Sequence, residues 1–266
     1  MLLLLRRGLM KLPEPQTWAK LLKNSRSRIT LLAFVLIAVG LWSLIKPSLD
    51  SVAYGAYVND LKILKEETLV EIQSEAPISY DTLHKRLLDL NSDYQGWLKI
   101  EGTQIDFPYV QGADNSFYLT HNHVQEDNSF GSVFMDYRNN PDDTRWFLYG
   151  HSVNGNAMFG SLVKYRDEAY FKAHPTIKLY LPTEIRTYTV FSVETIDADV
   201  TMIFDSELSE EPGTLVKRLA QASEVIFSGE LPVTNQVLTL VSCEYTLKNG
   251  RVFVSAALTS VETVTE

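Results

Sequence analysis

From Gly96 onward the chain is a succession of short runs rich in β-branched and aromatic residues, broken by Gly, Pro, Asn and Asp. Such runs read as strands and the residues between them as turns. Eight can be marked: Gly96–Ile100, Gln104–Val110, Ser132–Met135, Arg145–Tyr149, Thr176–Tyr180, Thr187–Asp197, Val237–Ser242 and Val252–Leu258. Eight strands at this density predict a mainly β fold, a closed or nearly closed barrel. Between Val200 and Val233 lies an acidic, helix-prone insert, best developed from about Gly213 to Ile226, just before the last two strands. No internal repeat and no long linker interrupts the series.

Two helical patterns precede the barrel. From Asp50 to about Gln73, Val58, Leu61, Leu64 and Leu69 recur at helical spacing. From Tyr80 to Leu90, Leu83, Leu87 and Leu90 fall on one side. The second is expected to pack on the barrel; the first fits either a stalk or a packed helix.

Ahead of both stands Ile29 to Ile45, an uncharged apolar run bounded by Arg28 and Lys46. At about 1.5 Å per residue it just spans a hydrocarbon core of about 30 Å. Trp42, near its end, suits the interfacial zone. Every basic residue of this segment except Lys46 precedes the run, which predicts a cytoplasmic N-terminus and an extracellular remainder. A cleaved signal peptide would share the charged and apolar regions, but Ala53 and Ala56 have two residues between them rather than one and make a poor cleavage site. A buried core helix is disfavoured by the polar flanks. The expected organisation is a basic cytoplasmic tail over 1–28, a transmembrane anchor over 29–46, a helical stalk over 47–78 and an extracellular domain over 79–266.

Charge separates the same parts. Through Lys46 there are eight basic residues and one acidic, Glu14; the remainder holds sixteen basic against thirty-two acidic, a net −16. So acidic a domain repels polyphosphate, which argues against nucleic acid as a partner. The single cysteine excludes an intrachain disulfide and a Cys-based zinc site. A lone thiol in an exported domain is either buried and inert or kept for its reactivity.

That cysteine, Cys243, ends the apolar run Val237-Leu238-Thr239-Leu240-Val241-Ser242, where a barrel rim would present it to solvent. Arg251, eight residues later, opens the next strand, so a hairpin would bring the two to one end. An adjacent guanidinium favours thiolate. His151 follows the strand Arg145–Tyr149 and the breaker Gly150, again at a rim. Each alone also fits a structural role: a core cysteine, a surface arginine, a histidine bonding its loop. Together they point to nucleophilic catalysis.

Tyr149-Gly150-His151 followed by Met158-Phe159-Gly160-Ser161-Leu162, and Thr239-Leu240-Val241-Ser242-Cys243 followed by Arg251, resemble the signature of the sortase family. Gly96-Trp97-Leu98-Lys99-Ile100, Asp114-Asn115 leading to Tyr118-Leu119, and Gly131-Ser132-Val133-Phe134-Met135-Asp136-Tyr137-Arg138 are similar to class B members, as is the helical insert. The resemblance covers about residues 80 to 260. Ser242 stands where sortases usually have Thr, and Ser152-Val153 where class B members often have Asn-Met.

The resemblance implies an eight-stranded sortase barrel on a Gram-positive cell, held by one N-terminal helix and needing no cofactor. It implies that Cys243 attacks a C-terminal sorting signal to form a thioacyl enzyme, with His151 as acid and base and Arg251 on the oxyanion. An amine of peptidoglycan or its lipid-linked precursor would resolve the intermediate and fix the surface protein to the wall. Asn115, Leu119 and Glu244 resemble residues lining the substrate groove; Leu119 fits a core position equally, and Asn115 a turn. Pilus polymerisation would use a pilin lysine and often a lid, and no lid segment stands out. A wall cysteine peptidase is disfavoured because papain-like enzymes place Cys before His, and a non-catalytic scaffold because all three residues are intact.

Other candidates are weaker. His121 and His123 form an H-x-H pair without a third ligand at metal spacing and are expected as solvated loop residues. His84 is expected on a polar helix face, and His174 precedes Pro175. Arg138 is expected to brace a turn. Asp142-Asp143 and the acidic cluster Glu207 to Glu211 lack EF-hand spacing and read as solvated faces.

Overall fold

The computed structural model describes residues 25–70, 80–153, 157–197, 208–227, 229–244 and 250–264. Two compact units divide the chain, Met1–Val58 and Asn59–Glu266. The opening MLLLLRRGLM and the basic tail through residue 24 lie outside the described residues.

The apolar run and the first helical pattern form one helix, α1 (Ser25–Val70), rather than two. Pro47 sits inside it and deletes one N–H from the helical ladder, while the Ser51 hydroxyl donates to the Pro47 carbonyl at 2.9 Å. In the first unit the side chains from Ile29 to Ile45 are exposed, and the helix is long and apolar enough to cross a membrane. A continuous apolar surface of this kind needs a covering phase, and an N-terminal anchor fits it.

The second unit is a closed eight-stranded barrel. Its strands are β1 (Tyr94–Ile100), β2 (Asp106–Val110), β3 (Val133–Met135), β4 (Arg145–Gly150), β7 (Thr176–Tyr180), β8 (Glu184–Asp197), β9 (Val237–Glu244) and β10 (Gly250–Thr263). A separate two-stranded ribbon, β5 (Ser152–Val153) with β6 (Ala157–Met158), follows β4. The barrel order is β1-β2-β3-β4-β9-β10-β8-β7, with β7 pairing back on β1. All eight expected strands are present. The neighbouring strands β8 and β10 run longer than expected because they pair with each other from Glu184↔Thr263 to Asp197↔Gly250. The added residues are mostly polar, and those from Thr259 to Thr263 are exposed, so apolar patterning does not mark them.

Two neighbouring pairs are parallel, β2/β3 and β4/β9. A parallel pair cannot be closed by a tight hairpin, so each demands a long connection. The β2–β3 connection carries a 3-10 turn, Phe117–Leu119. The β4–β9 connection carries the ribbon, a 3-10 segment Phe159–Arg166, α3 (Glu168–Ala173), strands β7 and β8, and α4 (Pro212–Ala222). These are the segments free to build a site beside regular strands.

Helices cover parts of the barrel surface. α4 buries Leu215, Val216 and Leu219 against Phe191, Val237 and Ala257. Pro212 opens α4, and Glu211 caps it by accepting from the Gly213 and Thr214 N–H groups. Thus Glu211 serves a helix terminus rather than a purely solvated face, and Glu210 pairs with Arg218. Cover on one side and the barrel interior on the other bury both faces of β9, which explains its unbroken apolar run.

The second helical pattern is α2 (Tyr80–Leu90), as expected. Leu83 and Leu87 pack on Tyr94, Trp97 and Tyr180, joined by Leu64 of α1. Lys65 reaches both oxygens of Asp106, at 2.7 and 2.9 Å, over the Trp97 ring. The end of α1 from Asn59 therefore belongs to the barrel unit. His84 is 1% exposed, not on a polar face: its Nδ1 lies 2.6 Å from the Tyr94 hydroxyl.

Candidate active site

Register on three neighbouring strands brings the expected catalytic positions together. In the parallel pair β4/β9, Gly150 lies opposite Ser242, so His151 leaves β4 beside the end of β9. In the antiparallel pair β9/β10, Cys243 lies directly opposite Arg251. Positions 151, 243 and 251 thus share one end of the barrel. The Cys243 thiol and the Glu244 carboxyl lie outside the described side chains.

Local sequence explains how His151 is held. A Cβ at Gly150 would stand 2.8 Å from the Phe159 ring, so only glycine admits that ring against the strand end. The Phe159 N–H donates to the His151 carbonyl at 2.9 Å. Between them Met158 has φ +50° and ψ −122°, a region L-residues rarely occupy, with its side chain fully buried. The His151 Nε2 lies 2.8 Å from the Leu119 carbonyl oxygen. A carbonyl accepts only, so Nε2 carries the proton, in the neutral ring or the cation. Arg251 is half-buried, with Nη1 3.4 Å from the Gly250 carbonyl.

The β2–β3 connection forms the facing wall. Asp114 Oδ1 accepts from the Ser116 and Phe117 N–H groups at 2.7 and 2.9 Å and starts the 3-10 turn. Tyr118, fully buried, donates to Asp93 at 2.7 Å and accepts from Asn91 at 2.8 Å. Asn91 also donates to the His123 carbonyl, tying the wall to the end of α2. Leu119 is 38% exposed, so it is not core, while its carbonyl holds His151. Gly131 (φ +60°) closes the wall where a Cβ would stand 2.4 Å from the Tyr118 carbonyl oxygen.

Asn115 joins wall to floor. Its Nδ2 donates to Asp136 Oδ2 at 3.0 Å, and its Oδ1 accepts the Tyr137 N–H at 3.0 Å. Asp136 is buried with Arg138, which confirms Arg138 as a brace; Tyr149, in β4, donates to the same carboxylate. Nothing in the sequence marks these contacts. The only signal was an aspartate immediately after an apolar strand.

The two histidines of the H-x-H pair diverge. His121 stacks on Phe117, with centroids 4.0 Å apart, and its Nε2 is 3.3 Å from Asp127. His123, expected in solvent, is only 9% exposed; burial lowers its pKa to about 4, partly opposed by Glu126. Among the described residues no three His, Cys, Asp or Glu side chains converge as a metal site. Asp143 is also not simply solvated, since it accepts from Asn139 and from the Asn140 N–H.

The sequence model of the sortase domain matches residues 98–259. Sortase B of Listeria monocytogenes is 32% identical over 178 residues, covering 65% of this chain and 72% of that protein. The crystal structure of Clostridium perfringens sortase B superposes with a TM-score of 0.62 at 34% identity, over 66% of this chain and 99% of that one. The Staphylococcus aureus sortase B–substrate complex gives a TM-score of 0.65 at 24% identity, over 79% and 98%, which bears on the fold alone.

Proposed function

The chain belongs to the sortase family of cysteine transpeptidases, most like its class B members, and we propose that it joins sorting-signal proteins to a cell-wall amine. The observation that supports this most is the register setting Cys243 opposite Arg251 and next to the strand that delivers His151.

Chemistry follows from the three side chains. The Cys243 thiolate attacks the carbonyl carbon of the scissile amide in a C-terminal sorting signal. Arg251 donates to the oxygen as negative charge develops there. As the C–N bond breaks, the His151 cation gives its Nδ1 proton to the departing amine, leaving a C–S thioacyl bond. An amine of peptidoglycan or its lipid-linked precursor then attacks that carbonyl and loses its proton to His151, and the thiolate departs. One amide is broken and one formed, with no cofactor consumed. The Leu119 carbonyl orients His151 throughout, as the acceptor for Nε2–H. Asn115, Leu119 and Glu244 are assigned to the groove that receives the sorting signal.

The exposed apolar stretch of α1 supports a single-pass anchor with the N-terminus cytoplasmic and the barrel outside, where both substrates lie. Domain limits follow the sequence reading, with 1–28 as tail, 29–46 as anchor, 47–78 as stalk and 79–266 as catalytic domain, the part of α1 from Asn59 packing within the barrel unit.

Full-length enzyme in detergent, mixed with a panel of sorting-signal peptides and triglycine as the amine, tests the reading. A ligated peptide–triglycine product is expected. Hydrolysis alone, with no ligation at any triglycine concentration, would make the enzyme a peptidase instead.

A further inference from the structure

Asp136 has no side-chain exposure and no part in the chemistry above. Its oxygens are nonetheless crowded with donors. Arg138 approaches through Nε at 2.9 Å to Oδ1 and Nη2 at 2.8 Å to Oδ2, and its N–H reaches Oδ1 at 3.0 Å. Oδ2 also accepts from the Tyr149 hydroxyl at 2.8 Å and from Asn115 Nδ2 at 3.0 Å. Gln111 Nε2 pins the backbone around it, donating to the Asp136 and Asn139 carbonyls at 2.8 Å each. Burial opposes the charge, but the bonds from Arg138, Tyr149 and Asn115 outweigh it and hold the carboxyl below the usual carboxylate range. Near neutral pH the group is therefore an acceptor only.

An acceptor-only partner decides which way a carboxamide faces. Asn115 must turn Nδ2 towards Asp136, which leaves Oδ1 for the Tyr137 N–H. The flipped amide would set oxygen against carboxylate and NH2 against N–H, losing both bonds. Of the two Nδ2 hydrogens one goes to Asp136, and the other has no partner among the described residues. Asn115 is half-exposed, at the wall assigned to the sorting signal. The same carboxylate grips Tyr149, in the strand that leads into His151; the Tyr149 ring stacks on Phe147 of that strand and on Phe134 of β3.

We propose that Asp136 is a positioning residue that locks the Asn115 carboxamide, so that Asn115 offers the sorting peptide one N–H donor, for a main-chain carbonyl, and never its oxygen. This rests on the assignment of Asn115 to the substrate groove. An unlocked amide would present donor and acceptor alternately and lose orientation entropy at each binding event. The locked one selects a peptide register in which a carbonyl falls opposite.

Steady-state kinetics of the full-length enzyme test this, with the internally quenched sorting-signal peptide that the wild type turns over fastest. Asp136→Asn keeps the size but can donate, so only the Tyr137 N–H is left to oppose the flip. It is expected to raise KM about tenfold, the scale of one hydrogen bond, with kcat within about twofold. Asn115→Ala is expected to do the same, and the double variant to be no worse than Asn115→Ala. A merely structural role would lower the active fraction and add its loss to that of Asn115→Ala. Asn115→Asp, at a half-exposed position, keeps the proposal testable if Asp136→Asn does not fold. It offers oxygens only, so its KM is expected to rise at least as far as with Ala. An unchanged KM in Asn115→Asp, or additive losses in the double variant, would overturn the proposal alone. No turnover of any peptide by the wild type would overturn the transpeptidase reading and this proposal with it.

Discussion

The two sides of the candidate groove are built by different means. The floor is β4, β9 and β10, three strands whose backbone register alone sets positions 151, 243 and 251 at one end. The wall, from Gln111 to Gly131, has almost no regular structure. It is held by side chains: Asp114 on its turn, Tyr118 between Asp93 and Asn91, Asn115 on Asp136. Backbone register tolerates many side chains, whereas a polar network fails when one member is lost. Floor variants should therefore alter chemistry with little effect on stability, and variants of the wall away from Asn115 the reverse.

The largest expected effect is on the floor. His151→Ala and Arg251→Ala are each predicted to lower kcat/KM by about 10²–10⁴ with the melting temperature little changed. A large drop in melting temperature in either would erase the contrast between the two sides.

Next comes acid sensitivity of the wall. His123 is buried with its pKa lowered from 6.5 to about 4. Between those values the unfolded chain takes up a proton that the folded chain refuses, so stability falls as pH drops from 6.5 towards 4. The shift corresponds to about 3 kcal/mol at full extent. Chemical denaturation across that range should show the loss, and His123→Gln should flatten it.

A third prediction concerns Gly131. An alanine there meets both a positive φ and the Tyr118 carbonyl oxygen. A loss of about 2–3 kcal/mol is expected by denaturant titration. Fourth, Tyr118→Phe removes the hydroxyl shared by Asp93 and Asn91 and is expected to cost about 1–2 kcal/mol. If it costs nothing, the wall is not held by that network.

The same contrast explains what the sequence made legible. Strands announce themselves through apolar runs, so the barrel and the meeting of Cys243 with Arg251 could be read from spacing and a presumed hairpin. His151 was marked mainly by the motifs around it. The wall has no periodicity, and its partners are distant in the chain: Asn91 with Tyr118, Asn115 with Asp136. Asp136 reads as a surface carboxylate until Arg138, Tyr149 and Asn115 are seen to surround it. His84 and His123 were misplaced for the same reason, since burial of one polar residue depends on what folds over it. The two parts of α1 read as separate segments because Lys46 bounds the apolar run and the amphipathic pattern starts only at Asp50, yet one helix carries both, with Pro47 inside it.

Intact-mass spectrometry of full-length enzyme quenched during turnover tests the central claim, that the floor forms one catalytic unit around Cys243. The account predicts an acyl adduct, mapped to Cys243, absent from Cys243→Ala and discharged when triglycine is added. Failure to trap an adduct with any sorting-signal peptide, or an adduct that persists in Cys243→Ala, would contradict it.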